Sequence, residues 1–188
     1  LIIDNYDSFV NNLARYVREA GWETKVMRHD EVATEDFIAM APAGVIISPG
    51  PKTPTEAAGS MQLLSALDPR VPLLGVCLGH QALVESFGGV TQRSRFPLHG
   101  EASEIRHTGR GLFRGLPSPM MAGRYHSLIA IPDCNGPLRE TAWSTEGEVM
   151  AVVHQERPWC GVQFHPESLL TPHGRGLVQN FLSHCRAE

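Results

Sequence analysis

Residues 73–79, Leu-Leu-Gly-Val-Cys-Leu-Gly, decide the fold of this chain. Leu73–Val76 is a short apolar run typical of a buried strand, and a helical pattern over Leu78–Phe87 follows it and ends at Gly88-Gly89. A strand that passes directly into a helix is the unit of a parallel sheet covered by helices. The glycines on both sides of Cys77 permit the sharp turn of a nucleophile elbow, which lifts the central side chain above the sheet.

The rest of the sequence continues the alternation of strands and helices. In the first half, strands are predicted at Leu1–Ile3, Thr24–Met27 and Val45–Ile47, and helices at Phe9–Ala20 (capped by Ser8), Glu35–Met40 and Glu56–Leu67. In the second half, strands are predicted at Val90–Arg95, Ser103–His107, Leu128–Ile131, Glu140–Ser144, Met150–His154 and Gly161–Phe164, and a last helix at Gly174–Cys185. We therefore expect an α/β fold in a single domain over residues 1–188. Its open sheet should be mostly parallel, with helices on both faces and a smaller antiparallel section in the second half.

Composition excludes several classes of function. Of the 188 residues, 42% are hydrophobic and 19% charged, which is sufficient for a self-supporting core. The net charge of −4 predicts no binding of nucleic acid or of an anionic membrane surface. No apolar run approaches the roughly 18 residues of a membrane span, and Leu1–Ile3 is interpreted as a strand rather than a signal peptide. Four cysteines without a CxxC pair favour a reducing, cytoplasmic setting.

A second strand end carries a candidate base and a carboxylate. His165-Pro166-Glu167 directly follows the apolar run that ends at Phe164. Pro166 favours an extended chain before it, and residues two apart on an extended chain point to the same side, so His165 and Glu167 are expected to pair. The thiolate of Cys77 would be favoured by its position at a helix N-terminus. The three residues therefore meet the requirements of nucleophilic catalysis, a nucleophile with a base and a group that orients the base.

A third segment, Ser48-Pro49-Gly50-Pro51, follows the apolar run Val45–Ile47. Proline has no N–H group, so Gly50 carries the only backbone donor between the two prolines, and its missing Cβ would let a ligand approach closely. We expect Gly50 and Leu78 to supply the two N–H donors of an oxyanion hole. Taken alone, the segment would be interpreted as an ordinary proline-rich loop.

Metal binding is a competing use of cysteine and histidine. Cys77 and His80 have CxxH spacing, but no second pair of ligands stands at a zinc-like interval. Other histidines are scattered along the chain, among them His99, His107, His126 and His154. We therefore expect no metal in this chain. A phosphate loop is also not expected, because no G-x-x-x-x-G-K-[ST] or G-x-G-x-x-G motif follows the first strand.

Three blocks resemble the signature blocks of the triad-type (class I) glutamine amidotransferases, in the same order: residues 48–51, 75–81 and 163–168. Within that family, residues 4–9, 99–100 and 124–128 are similar to the small subunits of anthranilate synthase and aminodeoxychorismate synthase. The resemblance covers essentially the whole chain. It implies that Cys77 attacks the side-chain amide of L-glutamine, that His165 protonates the leaving ammonia, and that the glutamyl thioester is then hydrolysed. Glu167 would orient His165.

The resemblance also implies the binding residues and the partner. Glutamine would be held by Gly50, Pro51, Lys52, Gln81, Ser127 and Leu128. The partner would be a chorismate-binding synthase chain that receives ammonia through a channel and itself carries Mg²⁺. This chain would need no cofactor.

Some positions depart from the commonest pattern of the anthranilate subunits. Lys52 replaces glycine, Val10-Asn11 replaces Thr-Tyr and Glu101 replaces lysine, and none of them belongs to the triad. Thr53-Pro54 and residues 107–111 are closer to the aminodeoxychorismate subunits, which favours that synthase or a subunit shared by both. Two alternatives remain open: a non-catalytic regulatory subunit of the same complex, and a Cys-His hydrolase of peptides or γ-glutamyl compounds.

Overall fold

A computed structural model describes residues 1–31 and 33–185 of the chain. The strands of these residues are β1 Ile2–Asp4, β2 Val26–Arg28, β3 Val45–Ile47, β4 Leu73–Val76, β5 Val90–His107, β6 Met120–Ile131, β7 Leu138–Ser144, β8 Val149–His154 and β9 Trp159–Val162. The helices are α1 Val10–Glu19, α2 Thr34–Ala39, α3 Ala58–Ala66, α4 Leu78–Ser86 and α5 Gly174–Leu182, with short 3₁₀ turns at Pro54–Glu56 and Gly111–Phe113. None of the helices in this described part is long and apolar enough to cross a membrane.

The described strands form one mixed sheet in the order β2-β1-β3-β4-β9-β8-β7-β5-β6. The four pairings from β2 to β9 are parallel, and the four from β9 to β6 are antiparallel. The predicted α/β class with a mixed sheet is therefore confirmed. The antiparallel section, however, equals the parallel section in number of pairings, whereas the sequence predicted a smaller one.

The antiparallel section also contains more residues than expected, because β5 and β6 are longer than their sequence patterns. β5 runs without interruption through both predicted strands, Val90–Arg95 and Ser103–His107. The residues between them include Pro97 and Gly100, which disfavour a strand, but two register shifts in the pairing with β6 accommodate them. β6 starts at Met120 instead of Leu128. Pairing across the sheet thus overrides the local preferences of these residues.

Apolar side chains alternate between two cores, one on each face of the parallel strands. Ile2 and Ile46 belong to one core, together with residues of α1 and α5. Ile3 and Ile47 belong to the other, together with residues of α2, α3 and α4. This alternation, which follows from the period of two in a strand, places helices on both faces as predicted.

The start of α1 differs from its prediction. The helix begins at Val10, and no side chain of the residues that the structure describes caps it. Ser8 is therefore not the cap; instead the Asp7 carboxylate accepts the N–H of Phe9 at 3.1 Å.

The sheet curls so that β6 meets the segment that carries His165. The His165 N–H donates to the carbonyl of Gly123 in β6 at 3.0 Å. The Thr171 hydroxyl accepts the Gly123 N–H at 2.9 Å and donates to the His165 carbonyl at 2.7 Å. These bonds bring residues 124–128 of the antiparallel half next to the end of β9, where the candidate site lies.

Candidate active site

Cys77 lies in a strained turn between β4 and α4. Its φ of +51° and ψ of −100° are rare for any residue except glycine. A Cβ on Gly75 would collide with the backbone of Gly79, and a Cβ on Gly79 would collide with the carbonyl of Ile47 in β3. Both glycines are required because the backbones of β3, β4 and α4 approach each other closely there. The predicted strand-to-helix turn at Cys77 is confirmed.

His165 and Glu167 form a buried pair. The Nδ1–H of His165 donates to Oε1 of Glu167 at 2.6 Å, which leaves Nε2 as the free ring nitrogen. The contact agrees with the prediction, but its reason differs. The chain is not extended through Glu167; it turns there, and the Ser168 N–H donates to the His165 carbonyl at 3.2 Å.

The electrostatics of His165 favour the imidazolium. Burial by itself would lower the pKa of His165, but the neighbouring Cys77 and Glu167 outweigh burial and raise the pKa well above its usual 6.5. Both Cys77 and Glu167 therefore act on the ring, and the structure brings the three predicted residues together. A protonated imidazole can deliver a proton to a leaving group.

Gly50 lies next to Asn5 on the loop after β3. A Cβ on Gly50 would lie 2.6 Å from the carbonyl oxygen of Asn5 and 2.7 Å from its Cβ. The sequence attributed this glycine to the close approach of a ligand, but the structure shows that Asn5 fills that space. Within residues 1–31 and 33–185, the N–H groups of Gly50 and Leu78 donate to no other residue, so both remain available to an oxyanion.

Gln163 is a site residue that sequence analysis missed. Its wholly buried side chain donates from Nε2 to Sγ of Cys77 at 3.6 Å, and its Oε1 accepts Nε2–H of Gln81 at 3.2 Å. Gln81 Nε2 also donates to the Leu128 carbonyl at 3.2 Å. Residues two apart on a strand point to the same side, so the alternation rule applied backwards from His165 could have identified Gln163.

A buried ion pair supports the Leu128 carbonyl from the antiparallel half. Arg124, which is 0% exposed, donates from Nη2 to Oε2 of Glu148 at 2.8 Å and from Nε to Nε2 of His126 at 3.0 Å. His126 in turn donates from Nδ1 to the Leu128 carbonyl at 2.9 Å. Burial, and then the positive charge of Arg124, lower the pKa of His126 to about 3. The ring therefore stays neutral, with its proton on Nδ1.

Two further side chains that the sequence analysis missed lie beside His165. The ring of Tyr125 contacts the His165 ring edge-on, with 4.9 Å between centroids, and the Tyr125 hydroxyl hydrogen-bonds Oγ of Ser168 at 3.0 Å. Burial and then the charge of Glu167 raise the pKa of Asp7 to about 6, while the charge of His165 opposes this. Asp7 is thus a second carboxyl group, besides Glu167, near the candidate base.

The remaining predicted site residues differ in their surroundings. Gln81 and Leu128 are connected to Cys77 through Gln163, whereas Pro51, Lys52 and Ser127 are exposed. His80 is wholly buried and packs on Gly161 of β9, where burial lowers its pKa to about 4. In the described portion of the chain, no group of three or more His, Cys, Asp or Glu side chains could hold a metal ion.

The fold and the site together define an α/β protein with a Cys-His-Glu site at a strand-to-helix elbow, and comparison with known proteins specifies the family. Residues 1–185 match the family described as glutamine amidotransferase class-I. The chain is 45% identical over 191 residues to "Anthranilate synthase component 2" of Azospirillum brasilense, covering 99% of this chain and 96% of that protein. It is 46% identical over 183 residues to "Aminodeoxychorismate synthase component 2" of Escherichia coli (strain K12), covering 97% and 98%.

A solved structure from Thermoplasma acidophilum, provisionally described as part of a GMP synthase, has a similar fold. It superposes with a TM-score of 0.87 at 26% identity and covers 98% of this chain and 92% of that one. The chain belongs to the class I glutamine amidotransferase family.

Proposed function

We propose that this chain is the glutaminase subunit of a chorismate-amination complex. It hydrolyses L-glutamine through a thioester on Cys77 and passes the ammonia to a chorismate-using synthase. The observation that carries the proposal is the buried pair of His165 and Glu167, joined at 2.6 Å, beside a cysteine on a strained elbow. Two relatives covered over 96% and 98% of their length are named as component 2 of such synthases, which supports the partner.

The proposed reaction uses the geometry of the triad. His165, as the imidazolium, holds the proton that the Cys77 thiol has given up, and the sulfur attacks the amide carbon of glutamine. The N–H groups of Gly50 and Leu78 bind the oxyanion, and His165 returns the proton to the nitrogen, which leaves as ammonia. Water then gives a proton to His165 and attacks the thioester. The Cys77 sulfur leaves, recovers the proton and releases glutamate.

Binding and delivery of the product complete the proposal. Glutamine is held by Gly50, Pro51, Lys52, Gln81, Ser127 and Leu128. Ammonia released into water at neutral pH would be protonated and lost as a nucleophile, so it passes directly to the synthase chain. That partner, not this chain, carries Mg²⁺, and the complex is cytoplasmic.

The choice of synthase rests on local sequence. Overall identity does not separate the two relatives, at 45% and 46%. Thr53-Pro54 and residues 107–111 favour aminodeoxychorismate synthase or a subunit shared with anthranilate synthase.

Reconstitution of the complex tests the proposal. The purified chain is mixed separately with the anthranilate and aminodeoxychorismate synthase large subunits of the same organism, together with chorismate, glutamine and Mg²⁺. Product in one tube assigns the synthase, and product in both identifies a shared subunit. If neither tube gives a glutamine-dependent product, the proposed complex is wrong. Turnover of peptides or γ-glutamyl compounds without any partner would instead support a Cys-His hydrolase.

Cys77→Ala tests the chemistry within the same complex. We expect it to abolish glutamine-dependent synthesis and to leave ammonia-dependent synthesis intact. Cys134→Ala is the matched control, because Cys134 is an exposed free cysteine, and it should change neither activity. A Cys77→Ala complex that still uses glutamine would support the regulatory-subunit alternative instead.

A further inference from the structure

Asn5 is a buried polar residue that the proposed reaction does not use. It is 4% exposed and follows β1, facing the loop after β3. Its backbone N–H donates to Oγ of Ser48 at 2.9 Å, and its side-chain Nδ2 donates to the Ser48 carbonyl at 3.0 Å. Its Oδ1 accepts the hydroxyl of Ser60 at 2.7 Å. One buried residue thus binds both the hydroxyl and the carbonyl of Ser48.

The hydroxyl of Ser48 also fixes the next peptide group, that between Pro49 and Gly50. It donates to the carbonyl of Pro49 at 2.7 Å, and its oxygen accepts the Asn5 N–H. In a planar trans peptide the C=O of Pro49 and the N–H of Gly50 point in opposite directions. Fixing the Pro49 carbonyl therefore fixes the direction of the Gly50 N–H.

Packing restricts the same loop from the other side. Gly50 lies against the backbone of Asn5 so closely that a Cβ would be 2.6 Å from the Asn5 carbonyl oxygen. A rotation of the Pro49–Gly50 peptide would break the hydrogen bond from the Ser48 hydroxyl to the Pro49 carbonyl, and it would have to take place against the Asn5 backbone. A donor that must meet a developing oxyanion is effective only when its direction is set beforehand.

We propose that Asn5 is a positioning residue for the oxyanion loop, residues 48–51. Through Ser48 it holds the Pro49–Gly50 peptide in the orientation that leaves the Gly50 N–H free for the oxyanion. This inference rests on the proposed glutaminase function and assigns a role to the Asn5 position of the 4–9 block.

Two reactions of Cys77 separate positioning from general support of the fold. Thioester formation from glutamine passes through an oxyanion, whereas alkylation of Cys77 by iodoacetamide is a direct displacement that forms none. Both are measured in the reconstituted complex, with alkylation followed on the Cys77 peptide by mass spectrometry. The variants are Asn5→Ala and Ser48→Ala. Ser60→Ala is the matched control, because it removes a bond to the same Asn5 side chain without touching the loop.

The expected result is a selective loss of kcat. Removing one oxyanion donor costs about 10²- to 10³-fold in kcat. Because misorientation is less severe than removal, we expect Asn5→Ala and Ser48→Ala to lower the glutaminase kcat by about 10- to 100-fold. KM for glutamine and the alkylation rate should stay near their wild-type values. Ser60→Ala should resemble wild type in both reactions.

Three outcomes would overturn the inference. An unchanged kcat in Ser48→Ala and in a folded Asn5→Ala shows that the loop does not need the hydrogen bonds of Asn5 and Ser48. Parallel losses in kcat and alkylation rate show general disorder of the site instead of a lost oxyanion donor. If the wild-type complex hydrolyses no glutamine, the proposed function itself fails. That failure is seen in the wild type, whereas failure of the positioning role is seen only when the variants are compared with an active wild type.

Discussion

The two halves of the sheet hold the candidate site by different means. In the parallel half, Cys77 is placed by backbone segments so close together that Gly75 and Gly79 admit no side chain. In the antiparallel half, the Leu128 carbonyl is placed through the buried charges of Arg124 and Glu148. The first half therefore should not tolerate an added atom, and the second should not tolerate the loss of a charge partner. Substitutions in each half test this difference through their effects on unfolding free energy and glutaminase activity.

The largest effect is expected from Glu148→Ala. Among the described residues, it leaves the wholly buried guanidinium of Arg124 with a single carboxylate partner, that of Glu146 at 3.8 Å. Loss of one partner from a buried pair costs about 3–5 kcal/mol of unfolding free energy. Urea denaturation at neutral pH measures the loss. Glu146→Ala is the control, since that partly exposed carboxylate should contribute less than about 1 kcal/mol. Equal losses for the two variants would contradict the distinction.

A double variant, Arg124→Met with Glu148→Met, sharpens the comparison. Removing both charges avoids an unpaired buried ion. The double variant should therefore recover most of the unfolding free energy that Glu148→Ala loses. Glutaminase activity should not recover, because Nε2 of His126 loses the donor that fixes its tautomer and with it the hold on the Leu128 carbonyl. A double variant as active as wild type would show that the ion pair serves stability alone.

The next effect is expected from Gly79→Ala in α4. The added Cβ meets the carbonyl of Ile47, a backbone group that cannot rotate away. Overpacking of this kind costs about 1–3 kcal/mol and should displace Cys77, so glutaminase activity falls as well. Gly176→Ala in α5 is the matched control, because its Cβ meets only the flexible end of Leu116 and gains helix propensity. Similar stability of the two variants would refute the steric account of the elbow.

Local rules were sufficient for one part of the site and not for the other. The glycines on both sides of Cys77 and the change from a strand pattern to a helix pattern predicted the turn, because the residues that cause it lie close to Cys77 in the sequence. The contact of His165 with Glu167 was predicted correctly but from an extended chain, where the structure has a turn. Asn5 and Arg124 could not be predicted, since their partners are distant in the sequence and are assembled by the curled sheet.

Glu167→Gln acts where the two halves meet. The amide keeps a hydrogen-bond acceptor for His165 but removes the negative charge that helps to raise its pKa. The pKa should fall, so the alkaline limb of the kcat profile should move to lower pH, by about one unit, or about 1.4 kcal/mol. Glu19→Gln, at an exposed carboxylate on α1, should leave the profile unchanged. A limb that stays in place or moves to higher pH would show that Glu167 does not stabilise the imidazolium.

The smallest effect concerns Asp7, on the loop of the parallel half that faces Glu167. Burial and the charge of Glu167 raise its pKa to about 6 from 3.8, so the folded state holds this proton more tightly than the unfolded state. Stability therefore falls as the pH rises from about 4 to about 6, and the deficit is complete above that window.

Asp7→Asn removes this deficit, because the amide carries no charge. Its gain in unfolding free energy over wild type should appear in urea denaturation at pH 7.5 and vanish near pH 4. The gain should stay below about 1 kcal/mol because the Asp7 side chain is partly exposed. Asp68→Asn should behave oppositely, since hydrogen bonds from Arg70 lower the pKa of Asp68 to about 2 and its charge is favourable in the folded state. A gain for Asp7→Asn that is equal at both pH values would come from hydrogen bonding alone. The repulsion between Asp7 and Glu167 would then be absent, and the two halves would meet at the site without an electrostatic cost.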